Sequence, residues 1–324
     1  MKLQGLRALL AIVEHGSFSE AALELGTSQS TVSYAIAELE QELGVKLLDR
    51  GRFGAAPTAV GERIADHARG VERTLSAIGQ EAALSRGELR GELRVSTFRS
   101  LAANVLAPAM SDLAISHPGL RIELTEVSSR ATEPLAGLHR GRVDVALTMG
   151  AVSGSAIYWQ LFLDPYVAVV SDEVAVGGEK VALEDLTTHP ILLSNGPCSW
   201  PMRQELLRID PAFRPTQEVA EDSTMLALAA RGLGVALMPE LTVDSLPAGT
   251  RMLRLEEPLV RSLGVALLPG ALKMPAVRVF LAKLRAMFPD SEVPELSVEA
   301  VGAGDRGHDG AEPYGREPVL EPAD

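Results

Sequence analysis

Two sets of side chains in this sequence could do chemistry. The first is compact: Ser28, Gln29, Ser30, Thr31, Ser33 and Tyr34 crowd hydroxyl and amide groups together, and Lys46, Arg50 and Arg52 follow. Uncharged donors and acceptors at this density suit base edges, and the later cations suit phosphates. The second set is dispersed. Ser100, Ser128, Ser129, Thr148 and Ser199 supply hydroxyls, and Cys198 supplies the one thiol in the chain. Hydroxyls near helix starts can hold a small polar anion, and a thiol whose pKa is lowered by a helix N-terminus can sense oxidants. His15, His67, His117, His139, His189 and His308 are scattered without metal-ligand spacing, and neither a Gly-x-Ser-x-Gly elbow nor a phosphate loop occurs. No catalytic residue, metal or cofactor is expected, which argues against an enzyme.

The first set needs a rigid mount. Ala21, Ala22 and Leu25 predict the apolar face of a short helix ended by Gly26. Ser28 predicts the N-cap of a second helix whose buried side is Val32, Ile36, Leu39 and Leu43. Before them, Leu6, Leu9, Leu10 and Val13 share one face of a further helix; Arg7 inside that run and Glu14 after it argue against a signal peptide. Small residues let the helix pair approach closely, so the start of the second helix can enter a major groove.

This stretch resembles the winged helix-turn-helix of LysR-type transcriptional regulators. The resemblance is carried by Phe18-Ser19-Glu20-Ala21-Ala22, Ser28-Gln29 with Val32-Ser33, Ile36, Leu39-Glu40, Leu43-Gly44, Leu47-Leu48-Asp49-Arg50 and Pro57-Thr58-Ala59-Val60-Gly61, and it continues to about Phe288. It implies an all-α winged helix-turn-helix and linker helix, followed by an α/β, two-lobed effector domain of the periplasmic-binding-protein type 2 class. The expected division is 1–60 for DNA binding, 61–86 for the linker and 87–290 for the effector domain. Lobe I would run from about 88 to 163 and again from 265 to 290, with lobe II from 164 to 264 between them. The implied partners are double-stranded operator DNA, a small-molecule effector and a second copy of the chain in a dimer or tetramer, with RNA polymerase as a further contact.

Charge departs from the expected pattern. Residues 1–60 hold Lys2, Arg7, Lys46, Arg50 and Arg52 against seven acids, and where the family often carries arginine this chain has Tyr34 and Ala37. Phosphate attraction then rests on Lys46, Arg50 and Arg52, with the acids expected to face away from DNA. The formal net charge is −13, and nine acids against two arginines in residues 291–324 account for over half of it. That Pro- and Gly-rich segment lacks apolar periodicity and reads as a solvated, disordered tail.

Ile64, Ala68, Val71, Leu75, Ile78 and Ala82 recur at spacings of four and three, a heptad seam that two copies could bury against each other. After a hinge at Gly87–Glu92, strands are predicted at 93–97, 121–127, 143–149, 167–171, 191–194, 234–238 and 263–268, alternating with helices. In such sheets ligands gather beyond the carboxyl ends of strands. Ser100, Ser128, Ser129, Cys198 and Ser199 follow such ends and Thr148 stands at the end of a further strand as a weaker candidate, which makes them candidate effector contacts for a ligand of anionic character. Each serine could equally be a plain N-cap.

Cys198, in Asn195-Gly196-Pro197-Cys198-Ser199-Trp200, also resembles the reactive cysteine of peroxide-sensing LysR-type regulators, so a single-cysteine redox sensor is the alternative reading. A solute-binding protein without DNA function would explain residues 90–290 but not the N-terminal helix pair. No apolar run reaches the ~20 residues a membrane span requires, and a cytoplasmic location is expected.

Overall fold

The computed structural model describes residues 1–51, 54–127, 133–150, 154–175 and 178–296. Arg52, Ser128, Ser129 and the tail beyond residue 296 lie outside the described residues. The chain opens with three helices, α1 (Leu3–His15), α2 (Phe18–Glu24) and α3 (Gln29–Leu43). The hydroxyl of Ser17 accepts from the amides of Ser19 and Glu20, and that of Ser28 from Thr31, so both later helices start on side-chain caps. Leu6, Leu9, Ile12, Ala21, Ala22, Val32, Ile36 and Leu39 form the core between them. Leu25 and Leu43, expected inside, are 36% and 37% exposed because they lie at helix ends, beyond the reach of the facing helices.

A two-stranded wing follows, β1 (Leu48–Gly51) paired antiparallel with β2 (Gly54–Pro57). Glu40 ties it to α3 by accepting from the amides of Leu47 and Leu48. Thr58 then caps the 26-residue α4 (Ala59–Leu84). The helix can cross the wing only because Gly61 lacks a side chain: a Cβ there would lie 2.0 Å from the Leu47 carbonyl oxygen.

The remainder is a ten-stranded sheet shared between two lobes. Lobe I contains β3 (Gly91–Thr97), α5 (Arg99–Leu101) running through a π-helical turn (Ala102–Leu106) into α6 (Ala107–Ser116), then β4 (Leu120–Glu126), α7 (Glu133–His139) and β5 (Val145–Met149). Next comes β6 (Ile157–Ser171), which passes into lobe II. There it is followed by β7 (Lys180–Val181), α8 (Leu183–Leu186), β8 (Ile191–Ser194), α9 (Trp200–Ile209), β9 (Gln217–Val219), α10 (Asp222–Ala230), β10 (Val235–Pro239) and β11 (Thr250–Leu255). The return strand β12 (Val260–Leu267) and α11 (Pro275–Met287) complete lobe I.

The crossing has a sequence cause. Residues 157–165 of β6 pair with β12, whereas 166–171 pair with β10 and β11, and the change of partner falls at Pro165. Proline offers no N–H to a ladder, so it marks a point where pairing can switch. Strand β12 pairs with β6 from Val260 and with β5 from Leu263. Lobe I buries Leu93, Val95, Leu147, Val265 and Phe280 on one face, and lobe II buries Tyr166, Leu193, Leu206 and Leu237. The segment after α11 departs from expectation: Val293 is buried in the lobe I core, and the Glu292 amide donates to the Gln160 carbonyl, so residues 291–296 are packed and not tail.

Linker and lobe I are fastened through Gln80, which is 2% exposed. Its amide group donates to the Glu92 carbonyl at 3.1 Å and accepts from the Ala276 amide at 3.0 Å, joining α4, β3 and α11 at one side chain.

Candidate functional site

The N-terminal helices present one polar face. Gln29, Ser30 and Tyr34 are exposed, with Tyr34 at 69%, and Thr31 and Ser33 are half-buried beside them. The Ser28 hydroxyl is already engaged, lying 2.8 Å from both the Ser30 and Thr31 hydroxyls, so it orients the first turn of α3 more than it reaches outward. Four of the seven acids have a basic group at hand: Glu38 pairs with Lys2, Asp49 with Lys46 and Glu42 with the N-terminal amine, and Glu24 meets the His15 ring. The ion pair at 2.9 Å leaves Lys46 with less charge to offer a phosphate than its position suggests.

The heptad seam divides in two. Val71, Leu75, Ile78 and Ala82 are exposed, as an unpartnered stripe would be. Ala68 is 1% exposed and packs with half-buried Ile64 against the helix-turn-helix core. Ala68 is thus covered within its own chain, and Ile64 in part; periodicity reveals an apolar face but not its partner.

The second site lies where the lobes meet, around a residue the sequence reading missed. Arg261 on β12 is 2% exposed and pairs with Asp164 on β6 at 2.7 Å. Its guanidinium also donates to the Ser100 hydroxyl at 3.4 Å and lies 5.6 Å from the Phe98 ring. The second Asp164 oxygen accepts from the amide of Leu241 in lobe II. Arg261 Nη1 is buried without a hydrogen-bond partner among the described residues. Across the cleft, Arg99 reaches Asp222 at the start of α10 at 2.7 Å.

Cys198 faces this group. Burial pushes its thiol up, more strongly than the neighbouring Arg261 charge pulls it down, so the lowering expected from a helix start is not what the site produces. Tyr166, whose phenol burial also pushes well up, donates to the Cys198 carbonyl at 2.5 Å and holds the turn. One candidate spends its hydroxyl locally. The Ser199 hydroxyl is buried and donates to the Ser194 and Gly196 carbonyls, closing its own turn. Thr148 is fully buried, and strand alternation puts it on the sheet face opposite Leu147, in register with Gly264. Its hydroxyl has no partner among the described residues. Among the described residues no acid, histidine and cysteine cluster suits a metal, and no helix is long and apolar enough to cross a membrane.

Two family profiles cover this architecture. That of the bacterial regulatory helix-turn-helix protein, lysR family, matches residues 3–62, and that of the LysR substrate binding domain matches residues 86–289. The chain belongs to the LysR family. A LysR relative, the "Probable HTH-type transcriptional regulator LrrA" of Synechococcus elongatus, is 36% identical over 90% of this chain and 98% of its own. A "Probable hydrogen peroxide-inducible genes activator" of Streptomyces viridosporus is 31% identical over 74% of this chain and 78% of its own. Among solved structures, full-length OxyR from Pseudomonas aeruginosa, a cysteine-to-aspartate variant, superposes with a TM-score of 0.73 at 22% identity, covering 88% of this chain and 95% of that one. The LysR-type regulator CbnR, in complex with its target DNA, gives 0.59 at 22% identity over 88% and 99%. The order expected from sequence, a helix-turn-helix followed by a two-lobed α/β domain, is that of a LysR-type transcriptional regulator with a substrate-binding domain.

Proposed function

We propose that this LysR-type regulator binds its operator through the start of α3 as a dimer joined along Val71, Leu75, Ile78 and Ala82, and that a small anionic effector seats between the lobes at Arg261. Arg261 carries the effector half of this reading. The buried guanidinium, already paired with Asp164, keeps Nη1 unpartnered among the described residues, and beside the Ser100 hydroxyl and Cys198 it offers a carboxylate a directed donor. Ser128 and Ser129 join the proposal from their sequence positions alone. Occupation of the cleft would change how the lobes close and hence the disposition of the DNA-binding arms. Contact with RNA polymerase and a cytoplasmic location belong to the same reading.

Thermal-shift screening of small carboxylates against wild type and Ser100→Ala tests it. A stabilising carboxylate whose shift shrinks in Ser100→Ala is the expected result. A ligand that stabilises both proteins equally would place the effector elsewhere.

A second reading has one observation in its favour, the Arg261 charge beside the Cys198 thiol, which favours thiolate. Peroxide sensing would then proceed through a sulfenic acid or a mixed disulfide, as the chain has no second cysteine. The dominance of burial at that thiol supports the effector reading over this one.

A further inference from the structure

The exposed face of α3 carries no cation at Gln29, Ser30, Thr31, Ser33 or Tyr34, yet one guanidinium is fixed beside it. Arg50, on strand β1 of the wing, donates from Nη2 to the Ser33 hydroxyl at 3.3 Å, and its guanidinium lies 4.5 Å from the centroid of the Phe18 ring at the start of α2. The wing, the recognition helix and the helix before it therefore converge on a single side chain. Among the described basic groups of residues 1–60, Met1 N, Lys2, Arg7, His15 and Lys46 each pair with a carboxylate. Arg50 pairs with none among the described residues. It is exposed, and one hydrogen bond leaves most of the five guanidinium donors unspent.

We propose that Arg50 is a specificity-determining residue of the operator complex, lent by the wing to the recognition helix, where its planar fork reads a guanine edge next to the base contacted by Ser33. Phe18 is the positioning residue: its ring holds the guanidinium flat and lowers the ordering required on binding. This rests on the reading that α3 enters the major groove, and it parts from the simpler expectation that Arg50 is one phosphate anchor among three. A phosphate anchor needs charge alone and binds all sequences alike, whereas a bidentate contact needs the fork that lysine lacks.

The experiment selects binding sites from a randomised DNA duplex library with the full-length wild type, Arg50→Lys, Arg50→Ala and Phe18→Leu, followed by titration of the selected site and a scrambled duplex over a range of salt. Wild type should enrich a site with a guanine at one position of each half. Arg50→Lys should lose that preference and narrow the ratio of selected-site to scrambled-site affinity by roughly ten- to a hundredfold, with its salt slope close to wild type. Phe18→Leu should shift the same base position more weakly and leave the others alone. Unchanged base preferences in Arg50→Lys would overturn the proposal and make Arg50 a charge contact. Failure of wild type to enrich any sequence would instead remove the underlying DNA-binding geometry.

Discussion

Arg99 and Asp222 lie 123 positions apart in the chain and meet at 2.7 Å, one opening α5 in lobe I and the other opening α10 in lobe II. Burial holds the Asp222 carboxyl above the usual carboxylate range, outweighing the pull of Arg99. A carboxyl raised in the folded state contributes proton-linked stability that is fully present below its unfolded value and is lost as pH rises through the folded one. The charge on this inter-lobe contact is therefore linked to pH.

Asp222→Asn should flatten that dependence. As pH rises above the ordinary aspartate value of about 4, the thermal midpoint of wild type should carry a negative contribution that the variant lacks. Midpoints recorded for both proteins across that range give the comparison, and parallel curves would show that Asp222 does not titrate there.

The Arg261–Asp164 pair should be costly to break and cheap to replace. Arg261→Ala leaves a buried carboxylate alone and should destabilise by about 3–5 kcal/mol, while Arg261→Met with Asp164→Leu should recover most of the loss. Denaturant unfolding of the three proteins measures both quantities. A single-variant loss under about 0.5 kcal/mol would mean that the pair is solvated.

Carboxylates at Val71→Asp and Leu75→Asp would enter the exposed half of the α4 seam. Light scattering should then report a smaller particle than wild type, and operator affinity should fall with it. The effector domain should stay folded by circular dichroism. An unchanged mass would assign self-association to another surface.

Cys198 should behave as a buried thiol. Alkylation at neutral pH should be slower in the folded protein than in denaturant, where burial no longer raises its pKa. Cys198→Ser should retain effector-dependent regulation with altered affinity. Rapid oxidation under doses of peroxide too low to touch the methionines, coupled to changed promoter activity, would favour the sensor instead.

The helices were legible because their signals are local. Ser28 caps the helix that follows it, and the stripe from Val32 to Leu39 is read within a few turns. Strands were legible where apolar residues run unbroken, as at 167–171, but the first half of β6 was not: Ile157-Tyr158-Trp159-Gln160 mixes aromatic and polar residues without alternation, and its order comes from pairing with β12. Strand β11 was missed because Arg251 and Arg254 interrupt its apolar residues. The cleft was the least legible part. Its hydroxyls were found at strand ends, but the charges that organise it come together over separations of 97, 123 and 161 residues, which no local pattern encodes. Asp164 and Arg261 did leave one trace, since each is a charge inside a strand of otherwise core-forming residues.

The anchoring of α4 by Gln80 makes the linker a lever with lobe I as its handle. From Gln80 to the start of the helix at Ala59 is roughly 21 residues, or about 32 Å at 1.5 Å per residue. Rotating lobe I by about 10° about that anchor would sweep the far end through roughly 5–6 Å, more than one base-pair step of about 3.4 Å. A small angular response in the effector domain would thus arrive at the operator as a change of reach between half-sites, and the stiffness of the helix sets how faithfully it is passed on.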